Sequence, residues 1–298
     1  MNQHFTYKAF GLIIRSQFEI PEFIVSEGVP DVEIKIGTVP DQLIRVTRKG
    51  VKFQATKNEF LIDVDNVAKY YVKNGCEIII ETNRDNVDKE VRLFLLGSVF
   101  GALFLQRGLI PIHGSAIKFG NSACIFSGIS GVGKSSLAAS FIKKGFPFLA
   151  DDISVIDNNM HVVPGFPNIK LWKDVLDKLD INDENLNEIR PEIKKYHLPV
   201  DTFFSKEPLL IDTFFIINPK NTPGYEYEEL TGLQKFNAVK SNTYRYRFVG
   251  GLEKQLDHFQ VLNKLLPTIK VYRISRPQSP IMIDEFAQYI IDTFKLNG

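Results

Sequence analysis

The stretch from Gly128 to Ser135 constrains this chain more than any other part of its sequence. It fits the pattern of Gly, any four residues, then Gly-Lys-Ser. The glycines let the backbone turn tightly, so that several N–H groups point into one concavity able to hold phosphate oxygens. Lys134 adds a positive charge that can reach the outer phosphates, and the Ser135 hydroxyl can bind Mg²⁺. The pattern predicts a strand, a phosphate-binding loop and a helix in direct succession.

The residues on both sides of the loop agree with this prediction. Residues 122–126 form a short apolar run typical of a strand, and residues 135–144 repeat apolar side chains with helical spacing. The dipole of this helix would also favour a bound polyphosphate, because its N-terminus faces the loop. A glycine-rich turn with an exposed lysine is the weaker alternative. The predicted nucleotide-binding residues are Gly128, Ser130, Gly131, Val132, Gly133, Lys134, Ser135 and Ser136.

Length and charge limit the class of protein. A chain of 298 residues, 44% of them hydrophobic, is long enough for two domains or one large one. The net charge is +1 and no long basic run occurs, so we expect neither a nucleic acid nor an anionic membrane surface as partner. The longest apolar stretch, 93–105, is too short to span a bilayer, and no leader pattern begins the sequence. We therefore expect a cytoplasmic protein.

The sequence pattern changes twice along the chain. Residues 1–84 alternate apolar and polar side chains in short runs separated by turn residues, which predicts a β-rich N-terminal domain with an antiparallel sheet. Residues 85–108 repeat apolar side chains every three or four positions and predict a buried connecting helix. Residues 109–298 would then form the nucleotide-binding domain.

Two further features flank the loop in sequence. The short strand predicted over 146–150 ends in Asp151 and Asp152, and acids at a strand end beside a phosphate loop commonly present a carboxylate to Mg²⁺. A hairpin predicted before the loop brings His113 about one strand length ahead of it. The alternatives are a plain turn at the acid pair and a strand-end histidine that is only hydrogen-bonded.

His113-Gly114, the loop and the Asp151-Asp152 pair together resemble the core of the HPr kinase/phosphorylase family, which is distantly related to the ATP-dependent phosphoenolpyruvate carboxykinases. The resemblance covers residues 109–165 well and extends weakly to the C-terminus. It implies an α/β fold in which a β-rich N-terminal domain precedes a P-loop kinase domain with a mixed sheet. It also implies the use of ATP and Mg²⁺ and the phosphorylation of a serine-type hydroxyl.

The resemblance implies a role for each matched residue. Lys134 would neutralise the transferring phosphoryl group, Ser135 would hold Mg²⁺, and His113 would orient the phosphates or compensate their charge. Of the acid pair, Asp151 is assigned as the base that takes the hydroxyl proton and Asp152 as a metal ligand, with the opposite order left open. Phosphoryl transfer needs mainly positioning, concentrated positive charge and one proton acceptor near the nucleophile, so this set is chemically sufficient.

Three segments after the acid pair carry weaker signals. Residues 171–179 have an apolar spacing that predicts a short helix containing Trp172. Residues 180–195 are predicted to be a solvated helix or loop, or else a mobile segment that brings a cation to the γ-phosphate. Residues 244–248 alternate aromatic side chains with two arginines, which predicts a surface strand or an anion contact.

Three functions are compatible with these residues. The leading hypothesis is an ATP- and Mg²⁺-dependent serine kinase acting on a peptide or protein, the candidates including the precursor of a modified peptide. In that case the N-terminal domain would recognise the partner. A small-molecule kinase or carboxykinase-like transferase is the second hypothesis, and an ATP-binding regulatory protein without transfer is the third. Members of the resembled family are often oligomeric, so a homo-oligomer is also open.

Overall fold

The computed structural model describes residues 4–82, 87–179, 181–183, 186–190, 193–221, 223–279 and 281–297. It has a mixed α/β fold, as predicted. The chain forms two compact units: unit 1 comprises Met1–Pro111 and Tyr244–Val261, and unit 2 comprises Ile112–Thr243 and Leu262–Gly298. These units differ from the predicted boundaries, because residues 85–108 belong to unit 1 and the chain returns to unit 1 at residues 244–261.

Unit 1 is built on one sheet. Within the described residues its strands are β1 (Phe5–Ala9), β2 (Leu12–Ser16), β3 (Ile24–Val25), β4 (Val32–Ile36), β5 (Arg48–Lys49), β6 (Phe53–Ala55), β7 (Glu59–Val64), β8 (Ala68–Lys73) and β9 (Glu77–Glu81). They lie in the order β3-β1-β2-β4-β9-β8-β7-β6-β5. Strand β4 runs parallel to both of its neighbours, so the expected all-antiparallel sheet is wrong at this strand. The long connection over residues 17–31 lets the chain cross back and enter the sheet in the direction of β2.

A buried helical segment of unit 1 follows the sheet. It consists of helix α1 (Lys89–Phe94), a π-helical turn (Leu95–Val99) and helix α2 (Phe100–Gln106). The helix predicted for 85–108 is therefore present from residue 89, and residues 85–86 lie outside the described part of the chain. The Asp88 carboxylate caps its start by accepting backbone N–H groups of the first turn. A Cβ on Gly101 would lie 3.0 Å from the Tyr244 ring, so the glycine makes room for that ring.

The remaining elements follow in chain order. The strands are β10 (Ile110–Ile112), β11 (Gly114–Phe119), β12 (Ser122–Ser127), β13 (Phe148–Ala150), β14 (Ser154–Ile156), β15 (His161–Val163), β16 (Asn168–Trp172), β17 (Asn187–Arg190), β18 (Ile193–Pro199), β19 (Leu209–Lys220), β20 (Glu226–Glu229) and β21 (Lys270–Pro277). The helices are α3 (Lys134–Lys143), α4 (Lys173–Lys178), α5 (Gly232–Ser241), α6 (Arg247–Gly251), α7 (Gln255–Leu265) and α8 (Ile283–Phe294). None of the helices described has the length and apolar character needed to cross a membrane.

The main sheet of unit 2 is mixed. Strand β12 pairs antiparallel with β11 and parallel with β19, and β19 pairs parallel with β21. Strand β13 adds to β11, and the hairpin of β14 and β15 adds to the start of β19. A separate small sheet has the order β16-β18-β17. The loop from β12 to α3 thus leaves the carboxyl end of a strand with a parallel neighbour, where open α/β sheets bind ligands.

Buried aromatic rings fix α3 against this sheet. Phe141 of α3 lies 4.9 Å from Phe126 of β12, and Phe126 stacks on Phe215 of β19 at 5.0 Å, measured between ring centroids. All three side chains are fully buried. Each contributes about 1.5–3 kcal/mol through the removal of apolar surface from water. This packing holds α3 against the sheet whose strand β12 leads into the loop.

Three predicted elements differ in the structure. The helix predicted over 171–179 is present as α4 but begins at Lys173, and Trp172 instead ends strand β16, because β16 pairs with β18. Where the structure describes residues 180–195, they include strand β17 and the start of β18 in place of a solvated helix or loop. Residues 244–248, predicted as a surface strand, form a turn that leads into α6, and the Arg247 guanidinium lies over two phenylalanine rings of unit 1.

Gly114 at the start of β11 provides a test of the packing in unit 2. A Cβ there would lie 2.8 Å from the Phe126 carbonyl oxygen, so Gly114→Ala has to displace backbone. We expect the free energy of unfolding to fall by about 1–3 kcal/mol, measured by urea denaturation. Gly224→Ala is the control, because a Cβ there meets nothing within 4 Å. Equal stability of the two variants would contradict the close packing of β11 on β12.

Candidate functional site

Three glycines give the loop between β12 and α3 its shape. Gly128, Gly131 and Gly133 have φ angles of +140°, +80° and +96°, which residues with a Cβ rarely adopt. A Cβ on Gly128 would also lie 2.8 Å from the Ile217 carbonyl oxygen. Gly133 is the N-cap of α3, and no side chain caps the helix. The first N–H groups of α3 are therefore available to an anion.

Lys134 lies folded over this loop. Its side chain is buried, and its Nζ donates to the carbonyl oxygens of Gly128 and Ile129, both at 3.0 Å. Burial lowers the pKa of Lys134, and the charges of Asp151 and Asp152 act in the opposite direction. In the part of the chain that is described, no carboxylate lies within 4.0 Å of this ammonium. Among the described residues, the site thus holds a buried cation without a close carboxylate.

Asp151 joins three elements through one carboxylate. Its Oδ1 accepts hydrogen bonds from the hydroxyl of Ser115 on β11 at 2.6 Å and from the hydroxyl of Ser135 on α3 at 2.9 Å. Its Oδ2 accepts the backbone N–H of Lys170 on β16 at 3.2 Å. The side chain is buried, so these bonds fix the carboxylate beside the hydroxyl that ends the loop motif.

Asp152 is directed differently because its backbone is left-handed, with φ of +68°. Its carboxylate lies 3.2 Å from Lys170 Nζ and 3.8 Å from His113 Nε2, and its side chain is 38% exposed. Burial acts to raise the pKa of Asp152, but the charges of Lys170, His113 and Lys195 outweigh it and the pKa falls below its ordinary value. Asp152 is therefore an ionised, partly accessible carboxylate at neutral pH.

Backbone contacts hold His113 at the corner between β10 and β11. Its N–H donates to the Asn242 carbonyl oxygen at 2.9 Å. The Ser127 hydroxyl, at the end of β12, lies 2.7 Å from the His113 carbonyl oxygen and 2.9 Å from Asn242 Oδ1. These contacts place the imidazole next to Asp152 at the start of the loop between β12 and α3.

The small sheet and α4 bring further cations to the site. Lys170 on β16 pairs with Asp152, and Lys195 on β18 lies over the Trp172 ring with its Nζ 5.7 Å from the centroid. Strand pairing sets Trp172 opposite Lys195. Among the described residues, no carboxylate lies within 4.0 Å of Lys195 Nζ. Part of the charged segment 180–195 therefore supplies a cation to the pocket.

Arg276 supports the loop from β21. It is buried, and its guanidinium donates to the Val132 carbonyl oxygen at 3.0 Å and to that of Pro277 at 2.7 Å. Burial lowers the pKa of Arg276. The bond to Val132 ties the loop to the end of β21, and a Cβ on Gly133 would lie 4.0 Å from the same guanidinium.

Most of the predicted site residues share one pocket of about 200 Å³. Those that line it are His113, Ser130, Gly131, Gly133, Lys134, Ser135, Ser136, Asp151 and Asp152. Gly128 and Val132 instead contribute the carbonyl oxygens that Lys134 and Arg276 contact. Sequence reasoning did not single out several other lining residues: Lys170, Asp174, Val175, Lys178, Ile281 and Ile283.

The donor set of this pocket fits Mg²⁺ as it is bound with a nucleotide. No group of three His, Cys, Asp or Glu side chains that could hold a metal ion occurs among the described residues. Mg²⁺ keeps several waters, however, and is usually held by one or two carboxylates together with substrate phosphates. Asp151 and Ser135, with Asp152 nearby, provide oxygen ligands of this kind.

Comparisons with known proteins give structural similarity but no sequence match. No family model matches the chain, and no curated protein matches it. Among solved structures, the Hpr(Ser) kinase/phosphatase from Coxiella burnetii is similar at 10% sequence identity and a TM-score of 0.32. The match covers 62% of this chain and 95% of that chain. Similarity at this level assigns neither family nor activity, so the resemblance found in the sequence stays a prediction.

Lys170→Met tests the electrostatic account of Asp152. Removing this ammonium should raise the pKa of Asp152, as measured by a carbon-detected NMR titration of the carboxyl groups. The folded pKa lies below the unfolded one, so ionised Asp152 stabilises the fold above the ordinary carboxyl range, and this contribution is lost as the pH falls through the folded pKa. In the variant the loss should begin at a higher pH.

Lys178→Met is the matched control. Lys178 lines the same pocket, but its ammonium lies 3.7 Å from Asp174 and does not pair with Asp152. We expect it to leave the Asp152 titration nearly unchanged. A titration that does not move in Lys170→Met would show that this ion pair does not set the pKa.

Proposed function

We propose that this chain is an ATP- and Mg²⁺-dependent kinase that phosphorylates a serine-type hydroxyl of a peptide or protein. The observation that supports this proposal most is that Asp151 and Asp152 make different contacts. Asp151 is bonded to the Ser135 hydroxyl, whereas Asp152 keeps an ionised carboxylate in the pocket beside Lys170 and His113. A loop that only binds a nucleotide does not need this second carboxylate. The peptide or protein acceptor is proposed from the sequence resemblance.

The contacts of Asp151 support a role on the metal side. In phosphate loops of this pattern the serine hydroxyl binds Mg²⁺, and a neighbouring acid completes the ligand set. Asp151 Oδ1 lies 2.9 Å from the Ser135 hydroxyl and is fixed by Ser115. Asp151 and Ser135 would hold Mg²⁺, which would supply positive charge against the negative charge that develops during transfer. The order of roles favoured by the sequence is thereby reversed in this proposal.

Asp152 is proposed as the base. Its carboxylate accepts the proton of the acceptor hydroxyl as the hydroxyl oxygen forms a bond to the γ-phosphorus. The bond from that phosphorus to the oxygen bridging the β-phosphate breaks, and ADP leaves with the electron pair. His113, 3.8 Å away, and Lys170 orient the carboxylate. An ionised acid placed in this way commonly contributes about 10²–10⁴-fold to a rate.

The cations around the loop support the same chemistry. Lys134 would exchange its bonds to loop carbonyl oxygens for bonds to phosphate oxygens. Lys195 has its ammonium in the pocket without a close carboxylate among the residues described. Positive charge fixed where negative charge develops is the main source of catalysis in phosphoryl transfer.

Intact-mass analysis of serine-containing peptides, incubated with ATP and Mg²⁺, tests the proposal. Wild type should add one phosphoryl group to a peptide, and Lys134→Ala should not, because the cation that meets the transferring group is lost. Transfer to a free metabolite but to no peptide would favour the small-molecule alternative. Nucleotide binding with no transfer to any acceptor would contradict the kinase proposal.

Asparagine substitutions separate the roles of the two acids. Asp152→Asn should lower kcat by about 10²–10⁴-fold with Mg-ATP affinity unchanged, because only the proton acceptor is lost. Asp151→Asn should instead raise the Mg²⁺ concentration needed for half-maximal activity. Steady-state kinetics across a Mg²⁺ titration, with calorimetry of Mg-ATP binding, measures both effects. If Asp151→Asn lowered kcat and Asp152→Asn raised the Mg²⁺ requirement, Asp151 would be the base instead.

Lys195→Met tests the contribution of the small sheet. We expect kcat to fall by about 10²-fold, since a fixed cation at the transferring group is lost. Lys194→Met is the matched control, because the Lys194 side chain is exposed and does not line the pocket. Equal rates in the two variants would exclude a role for Lys195 in transfer.

A further inference from the structure

One edge of the unit 1 sheet collects positive charge from two segments of the chain. Strand β5 is the last strand of this sheet and, among the strands described, pairs only with β6. Five exposed cations lie on β5, on the residues before it and on the turn into α6: Arg45, Arg48, Lys49, Arg245 and Arg247. We call these five residues the basic edge.

Contacts between the two segments hold the basic edge together. The Arg48 guanidinium donates to the Arg247 carbonyl oxygen at 3.5 Å, and a Cβ on Gly250 would lie 3.1 Å from the same guanidinium. The Arg247 guanidinium lies over the Phe53 ring, 5.5 Å from its centroid. Since Phe53 belongs to β6, the strand beside β5, the start of α6 carries its arginine to this edge of the sheet.

The charge of the basic edge is not balanced locally. Within the ranges that the structure describes, no carboxylate lies within 4.0 Å of any of the five cations. The nearby Glu253 carboxylate accepts a hydrogen bond from the Thr47 hydroxyl at 2.8 Å, and the neighbouring Lys52 pairs with Asp65. The net charge of the whole chain is only +1, so the basic edge is a local concentration of positive charge. Such a surface attracts an anionic partner.

Apolar side chains lie among these cations. Ile44 and Val51, on either side of β5, are each 98% exposed, and Val46 is also exposed. Contact with a partner chain would remove this apolar surface from water. The edge therefore offers a partner both charge and apolar contact.

The position of the cations on a sheet edge indicates which anion fits. An edge strand presents backbone N–H and C=O groups that can pair with another extended segment. A second copy of this chain is disfavoured, because pairing of β5 with β5 would bring like charges together. Nucleic acids and lipid headgroups could meet the cations, but they cannot extend a backbone ladder. An acidic peptide in an extended conformation meets both requirements.

We propose that the basic edge docks an acidic, extended segment of a peptide or protein partner, which adds to unit 1 as a strand beside β5. The backbone of this segment would pair with β5, and its carboxylates would meet the cations of the basic edge. The inference does not rest on the proposed function, because docking needs neither a nucleotide nor phosphoryl transfer. In a kinase with a peptide or protein acceptor, unit 1 would recognise the acceptor in this way.

Fluorescence anisotropy with the full chain, in the absence of nucleotide, tests this inference. The probes are three labelled peptides of equal length: alternating glutamate and valine, alternating lysine and valine, and alternating glutamate and proline. Proline cannot donate to a β-ladder. At low ionic strength, wild type should bind the glutamate–valine peptide about tenfold or more tighter than the other two. Added salt should weaken this binding.

Charge reversal locates the binding surface. Arg45→Glu/Lys49→Glu should weaken binding of the glutamate–valine peptide about tenfold or more, because repulsion replaces attraction. Lys8→Glu/Lys206→Glu is the matched control, since it changes the net charge equally at two exposed lysines outside the basic edge, and it should bind as wild type does. Both variants should unfold in urea at the wild-type midpoint, which checks that the fold is intact.

The outcomes are specific to docking. Equal binding of the glutamate–valine and glutamate–proline peptides would show attraction by charge without strand addition and would overturn the inference. Equal affinities of the two double variants would also overturn it. Tighter binding of a DNA duplex or of phosphatidylserine vesicles than of any peptide would assign the surface to another class of partner. Each of these results leaves the kinase proposal intact, and a failure to transfer phosphate would leave docking intact.

Discussion

The Asp151 carboxylate is the interaction on which the geometry of the site depends. Its hydrogen bonds come from Ser115 on β11, Ser135 on α3 and the backbone of Lys170 on β16. Each of these donors is at or near the buried interior, where an unsatisfied polar group costs about 1–3 kcal/mol. One buried carboxylate therefore links β11, α3 and strand β16 of the small sheet. The left-handed backbone of Asp152 then directs the next carboxylate to the other side of the pocket.

The second constraint is unbalanced positive charge. Within the described residues, Lys134, Lys195 and Arg276 have no carboxylate within 4.0 Å. Burial lowers the pKa of Lys134 and of Arg276, which means that the fold holds these cations at a cost. Sites that break the usual rule of pairing buried charge are commonly functional. A polyanion would supply the missing negative charge.

The shape of the loop could be predicted from sequence because it depends on its own glycines. The contacts that depend on tertiary structure and strand pairing could not. The positive φ angles of Gly128, Gly131 and Gly133 are what the glycine spacing requires. Lys170 carries no local signal, because it meets Asp152 only through tertiary contacts, in which its backbone N–H donates to Asp151 and its ammonium pairs with Asp152. The helix predicted over 171–179 forms as α4 (Lys173–Lys178), whereas Trp172 ends β16 because it pairs with Lys195 of β18.

The roles of Asp151 and Asp152 show what sequence alone could not decide. Two successive residues at a strand end point to different sides, and only the backbone angles decide which one meets the loop. Sequence favoured Asp151 as base, whereas the bonds to Ser135 and Ser115 support a metal-side role for it. The alternation of aromatic side chains and arginines in 244–248 was equally ambiguous. Residues predicted as a strand lead into α6, where Arg247 packs on an aromatic ring of unit 1.

The most direct test of the account is a crystal structure with Mn²⁺ and a non-hydrolysable ATP analogue, using anomalous scattering to locate the metal. We predict a metal peak between the Ser135 hydroxyl and Asp151, triphosphate oxygens in the loop beside Lys134, and the Asp152 carboxylate facing the γ-phosphate without binding the metal. Phosphates bound outside the loop, or an Asp152 carboxylate beyond reach of the γ-phosphate, would contradict it.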